Sequence, residues 1–291
     1  AMSEANKWTA EKMASWGMTN IQEEGIEFGR GWTFEDVSIK MTAPRHSYIQ
    51  GYPVSWHPGT DGEVEGEVIK VSLRSRADME AWKGKLAGKI VIFDDKVQID
   101  KPDSDIVRRL DDEELAALEK DMNTPPQLLR WIDGWLFPQV LNEKAVADYL
   151  KDEGALAVVK PSPRVGSVIE PSGYSHRIGY TPDIPKVMIP SESYNRILRL
   201  TEDGETVKLA VNVDATFYDD DSKIYNTIAE IKGKGRNPEI VMAGAHLDSW
   251  FVGDGAVDNG AGVAVVMEAV RILKAIGVEP KRTIRVALWT G

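Results

Sequence analysis

His246, Asp248 and Asp258 stand close together in the stretch "HLDSWFVGDGAVDNGAG", residues 246–262. Imidazole nitrogen and carboxylate oxygen are both good zinc ligands. A chain with no cysteine has to build a zinc site from such groups. His246 follows the apolar run "EIVMAGA", and open α/β sheets hold their ligands just beyond such strand ends. Asp248 is placed to accept the second ring N–H of His246 and so orient the imidazole. Asp258 opens a long helical pattern, whose positive end favours an ionised carboxylate. The intervening glycines let the backbone approach an ion. His246 and Asp258 are therefore candidate metal ligands and Asp248 their positioning partner, although two ligands do not close a tetrahedral site.

Two other readings compete. Gly253-Asp254-Gly255 between a strand and a helix suggests a phosphate cradle. The third glycine of that fingerprint is replaced by Asp258, whose charge would repel a pyrophosphate, and no Walker lysine is present. The plainer alternative is an acidic surface turn, with Asp258 as the N-cap of the next helix and His246 a satisfied polar residue.

The elements that must position these residues follow from periodicity. From about 222, "SKIYNTIAEIKG" and "EIVMAGA" read as strands, "GAGVAVVMEAVRILKAIG" as a helix and "RTIRVALW" as a strand. Strand, crossover helix and strand imply a right-handed parallel unit. Val263, Val266, Val270 and Leu273 share one helix face; Ala269, Ile272 and Ile276 widen it, so the helix is expected to be mostly buried. Toward the N-terminus, residues 3–17 read as a helix with Ala5, Trp8, Met13 and Trp16 on one face. Strands are expected near 20–28 and 35–42. Pro and Gly density places a boundary near 50–62. The block 63–217 then reads as strands alternating with short helices, including buried strands at "KIVIFD" and "GALAVVK". The expected organisation is 1–62, 63–217 and 218–291.

Composition narrows the function classes. The 291 residues allow about two domains. The net charge of -11 argues against nucleic acid and anionic membranes, which need clustered Lys and Arg. No apolar run approaches the ~20 residues of a membrane span. The absence of cysteine removes disulfides, thiolate zinc sites and cysteine nucleophiles. A serine hydrolase is disfavoured because no G-x-S-x-G elbow occurs, and Ser175-His176 is only a neighbour pair in a loop. His46, His57 and His176 lie in Pro/Gly/Ser-rich stretches and are expected at the surface. Asp103 and Asp105 do not begin a calcium loop, because Arg108 stands where its glycine is required.

"GAHLDSW", "GDGAVDNGAG" and "EPKRTIRVALWTG" together resemble the co-catalytic dizinc exopeptidases, the family of aminopeptidases and glutamate carboxypeptidases. The likeness is nearest to the glutamate carboxypeptidase branch and its bacterial relatives. It extends to "NKWTAEKMASWGM" and "GRGW". The resemblance implies an α/β zinc-exopeptidase domain interrupted by an inserted protease-associated domain over 63–217. In such an insert Trp131 and Trp135 are either substrate contacts or, preferably, core. It implies that His246 binds one Zn2+, Asp258 bridges two, and Asp248 supports His246. A bridging hydroxide between the two zincs would then attack a terminal peptide bond of a short peptide or dipeptide. Two adjacent glutamates, a base and a ligand, are expected after the "WTG" strand, and the 291 residues stop before them. The expectation is a fragment inactive by itself. The resemblance also implies a peptide substrate, a homodimer, and secretion or a periplasmic location. A non-catalytic binding ectodomain of the same architecture is the alternative.

Overall fold

The computed structural model describes residues 2–99, 109, 111–116, 143–235 and 239–290. Trp131 and Trp135, and Asp103 and Asp105, lie outside these described residues. The chain forms two compact units, one from residues 1–29 with 219–291 and one from 30–218. The first boundary falls at 29/30 rather than near 62. Strand β2 (Gly31–Ala43) explains this: it pairs with β9 (Lys208–Tyr218) from Gly31↔Tyr218 to Ala43↔Lys208. Proline and glycine mark turns near residue 50, but the ladder of backbone hydrogen bonds keeps residues 30–62 with the second unit.

The first unit carries the sequence-predicted site. Helix α1 (Met2–Ser15) leads into β1 (Thr19–Glu27), which pairs antiparallel with β10 (Lys223–Ile231). Strand β10 pairs antiparallel with β12 (Thr283–Trp289), and β11 (Ile240–His246) runs parallel to β12. The sheet order is β1-β10-β12-β11. Helix α5 (Ala261–Ala275) makes the crossover from β11 to β12, as the strand–helix–strand pattern requires. The core joins Met13, Ala229, Ala245, Val263, Met267, Val270, Val286 and Leu288.

Two expectations about these helices change. The buried residues of α1 are Asn6, Thr9 and Met13, while Trp8 is exposed. Thr227 Oγ1 donates to Asn6 Oδ1 at 2.9 Å, so a buried polar pair takes the place expected for an aromatic. Helix α5 buries only Val263, Met267 and Val270, and Val265, Ile272 and Ile276 are exposed. Its apolar stripe is wider than the surface that covers it.

Among the described residues the second unit carries an eight-stranded sheet of order β3-β2-β9-β5-β6-β7-β8-β4, with β3 (Ser47–Tyr48) and β4 (Tyr52–Pro53) as its short edge strands. Strands β5 (Val64–Val71), β6 (Lys89–Phe93), β7 (Ala157–Pro161) and β8 (Lys186–Ile189) are parallel. Helices α2 (Arg76–Trp82), α3 (143–152) and α4 (Ser191–Glu202) accompany them. Side-chain alternation sends Ile90 and Ile92 into one core with Tyr194, Ile197 and Leu198 of α4, and Val91 into another with Ala147 and Leu150 of α3. Parallel strands need both faces covered, which is why "KIVIF" reads as a continuous apolar run. His57, expected at the surface, is buried here, while His46 is exposed.

Candidate metal centre

His246 is the last residue of β11, and the parallel register sets it opposite Trp289. The strand can carry the tryptophan so close because residue 244 is glycine. A Cβ there would lie 2.3 Å from the Trp289 ring and 2.5 Å from Ala287 O. Beyond His246 the chain turns sharply. Leu247 N donates to Trp289 O, and Gly253 N to Trp250 O at 3.0 Å. Gly255 takes a φ of +67°, the left-handed region, and its missing side chain makes room for Ser249.

Asp258 lies in the kinked turn 256–260 that precedes α5, with φ -116° and ψ 90°. The Asp258–Asn259 peptide bond is cis. Asp258 is not the helix cap: the N-cap position of α5 is Gly260, with no side-chain cap hydrogen bond. Asn259 Oδ1 instead accepts from Gly262 N at 3.2 Å. The Asp258 carboxylate is thereby left for His246.

The three singled-out residues meet. His246 Nε2 lies 3.0 Å from Asp258 Oδ1, and His246 Nδ1 lies 3.3 Å from Asp248 Oδ1. The Asp248 carbonyl oxygen is also 3.2 Å from Nδ1. Their side chains are 44%, 62% and 38% exposed for His246, Asp258 and Asp248, so the cluster is open to solvent. Both groups near Nδ1 only accept hydrogen bonds, so Nδ1 carries a proton. In the neutral ring Nε2 then presents a lone pair to a carboxylate oxygen. Two acceptors at that distance are compatible only if a proton or a cation lies with them. Donor atoms about 2.0–2.1 Å from a tetrahedral zinc would stand roughly 3.3 Å apart. The observed 3.0 Å is an ordinary hydrogen-bond distance, so the pair fits zinc in donor type. Among the described residues, no group of three or more His, Cys, Asp or Glu is arranged to hold a metal ion.

Asp254 is exposed on the same loop and Trp250 is half-buried. Sequence reasoning missed Trp289 and Asn259. Trp289 had a signal in the small residues "AGA" facing a large aromatic across a parallel pair. Asn259 had only its position before a helix, a place it shares with Asp258.

The resemblance to metallo-exopeptidases is found again in comparisons of sequence and of fold. Residues 226–291 match the model of Peptidase family M28. Human carboxypeptidase Q is 36% identical over 138 residues, 47% of this chain and 29% of that protein. An aminopeptidase of Pseudomonas aeruginosa is 44% identical over 69 residues, 23% of this chain and 12% of that protein. The chain thus spans less than a third of the length of these relatives. Among solved structures, a Peptidase M28 precursor from Shewanella amazonensis aligns with a TM-score of 0.65 at 22% identity, covering 99% of this chain and 58% of that one. A zinc aminopeptidase from Bacillus subtilis aligns with a TM-score of 0.59 at 18% identity, covering 99% and 55%. These structural likenesses establish the mixed α/β fold.

Proposed function

We propose that this chain carries part of the machinery of a zinc-dependent exopeptidase that hydrolyses terminal peptide bonds of short peptides or dipeptides. The observation that carries the reading is His246 Nε2 at 3.0 Å from Asp258 Oδ1, with Nδ1 held by Asp248. His246 would hold one zinc through Nε2, and Asp258 would offer its carboxylate to two. When bound, zinc supplies Lewis acidity for the scissile carbonyl and lowers the pKa of water. Asp248 fixes the ring tautomer by accepting from Nδ1, which leaves the Nε2 lone pair free to donate to metal. Trp289 stands opposite His246 in the parallel register, and the kinked turn keeps Asp258 out of the helix ladder. The unit 30–218 would serve as a protease-associated domain. Among the described residues, the general base and the other ligands implied by the family resemblance have no counterpart in the His246 cluster, so on this reading these residues alone would be inactive and would bind zinc weakly. A homodimer and an exported location belong to the same reading. No helix among the described residues is long and apolar enough to cross a membrane.

The test is a zinc titration of the 291-residue chain followed through the His246 ring resonances, with a dipeptide panel alongside. Saturable shifts at weaker than micromolar affinity, lost in His246→Ala and Asp258→Asn, and no turnover are expected. Tight stoichiometric zinc with measurable turnover would overturn the inactivity. No response of His246 to zinc would overturn the metal reading and leave the non-catalytic binding protein.

A further inference from the structure

His246 ends an edge strand, and the end of that strand is tied to one peptide group of its neighbour. The antiparallel ladder between β10 and β12 stops at Thr227↔Leu288. Past that pair, side chains take over from the backbone. Thr290 N donates to Asn226 Oδ1 at 2.9 Å, and Thr290 Oγ1 donates to Tyr225 O at 2.8 Å. Asn226 is 8% exposed and Thr290 3%. Asparagine is depleted in strands, and its amide is costly to bury without a partner. Here its carbonyl takes the Thr290 amide.

The peptide group that Asn226 holds has a second end. Its C=O belongs to Trp289 and accepts from the N–H of Leu247, the residue that follows His246. A peptide is planar, with its N–H and C=O on opposite edges, so holding the N–H sets where the C=O points. A hydrogen bond at one end also polarises the amide and strengthens the bond at the other. Asn226 Oδ1 is therefore joined to Leu247 N by two hydrogen bonds through one rigid group. Among the described residues β11 pairs with β12 alone, so no second strand restrains the His246 end.

We propose that Asn226 is a positioning residue for the His246 centre. By fixing the Trp289–Thr290 peptide it anchors Leu247, and so holds the His246 ring with Nε2 toward Asp258 and Nδ1 toward Asp248. The effect on ring geometry stands on these contacts. Its consequence for zinc rests on the reading of His246 and Asp258 as ligands.

The test follows the His246 ring nitrogens of the 291-residue chain by NMR at fixed pH, first without zinc and then through a zinc titration. Asn226→Leu keeps the volume and removes the acceptor. It is expected to displace both ring nitrogen resonances without zinc and to weaken the zinc response at least tenfold. Asn226→Asp keeps an oxygen in place and is expected to restore the ring resonances. Ile228→Ala removes a buried side chain from the same strand, and is expected to lower stability while leaving the His246 resonances in place. Should Asn226→Leu not fold, Asn226→Ser, too short to reach Thr290 N, is expected to give the same displacement. Unchanged resonances on loss of the acceptor, no restoration by Asn226→Asp, or an equal displacement in Ile228→Ala would each overturn the proposal. A wild-type ring that ignores zinc but moves in Asn226→Leu would overturn the metal reading and support the positioning role.

Discussion

The two sheets treat apolar strands differently. In the unit 30–218 the parallel strands lie between helices on both faces, and Ile90, Val91 and Ile92 are fully buried. In the unit 1–29 with 219–291, the strand that carries His246 is at the edge of its sheet. Its Val241 and Met242 are 49% and 53% exposed, although "EIVMAGA" is as apolar as "KIVIF". The first sheet shows what a fully covered strand contributes, and the second shows a candidate site held from one side by β12 alone. An exposed apolar edge strand is a place for further pairing.

That contrast can be broken by mutation and denaturant. The largest expected effect is in the covered sheet. Leu209→Ala removes a fully buried side chain and should destabilise that unit by about 2–5 kcal/mol in urea unfolding. A value near that of an exposed β11 substitution would erase the distinction.

Acid should come next. Folding lowers the pKa of His57 to about 3 from 6.5, so the unfolded chain binds more protons between those values. The stabilisation is complete above about pH 6.5 and is lost as pH falls toward 3. Unfolding free energy should drop by on the order of 2 kcal/mol between pH 7 and pH 5. His57→Phe should flatten that profile, and an unchanged slope in the variant would assign the loss elsewhere.

Gly244→Ala probes a close approach in the exposed sheet. The added Cβ meets the Trp289 ring and Ala287 O, so a cost of about 1–3 kcal/mol is expected, with His246 displaced in its NMR spectrum. A neutral result would mean that Trp289 does not brace the strand. The smallest effect belongs to Val241→Thr. On an exposed edge it should change stability by no more than about 0.5 kcal/mol. A loss comparable to Leu209→Ala would show that β11 is covered in solution.

Much of this was legible beforehand. Alternation and apolar runs located the strands from 20–28 to the terminal one, because a period of two and a long buried run each have a direct packing cause. The parallel crossover followed from element order. His246, Asp248 and Asp258 were singled out because their types and spacing carry ligand chemistry, and the structure brings these three side chains together. The misses share another cause. Trp8, His57, Ile272 and the boundary at 29/30 all depend on which surface covers which, and burial is decided by partners remote in the chain.

The amino-acid sequence alone determined the secondary-structure elements, the direction of the β11–α5–β12 unit and the identity of the residues at its open end. Local propensity, side-chain period and donor chemistry are properties of neighbouring residues, so short stretches suffice to set them. Only the tertiary structure decided that Asp258 turns away from the helix to face His246 Nε2. It also decided that the Asn226 side chain takes up the Thr290 amide. Both outcomes require backbone paths from separate elements to converge within a few ångströms, and no local pattern encodes that distance.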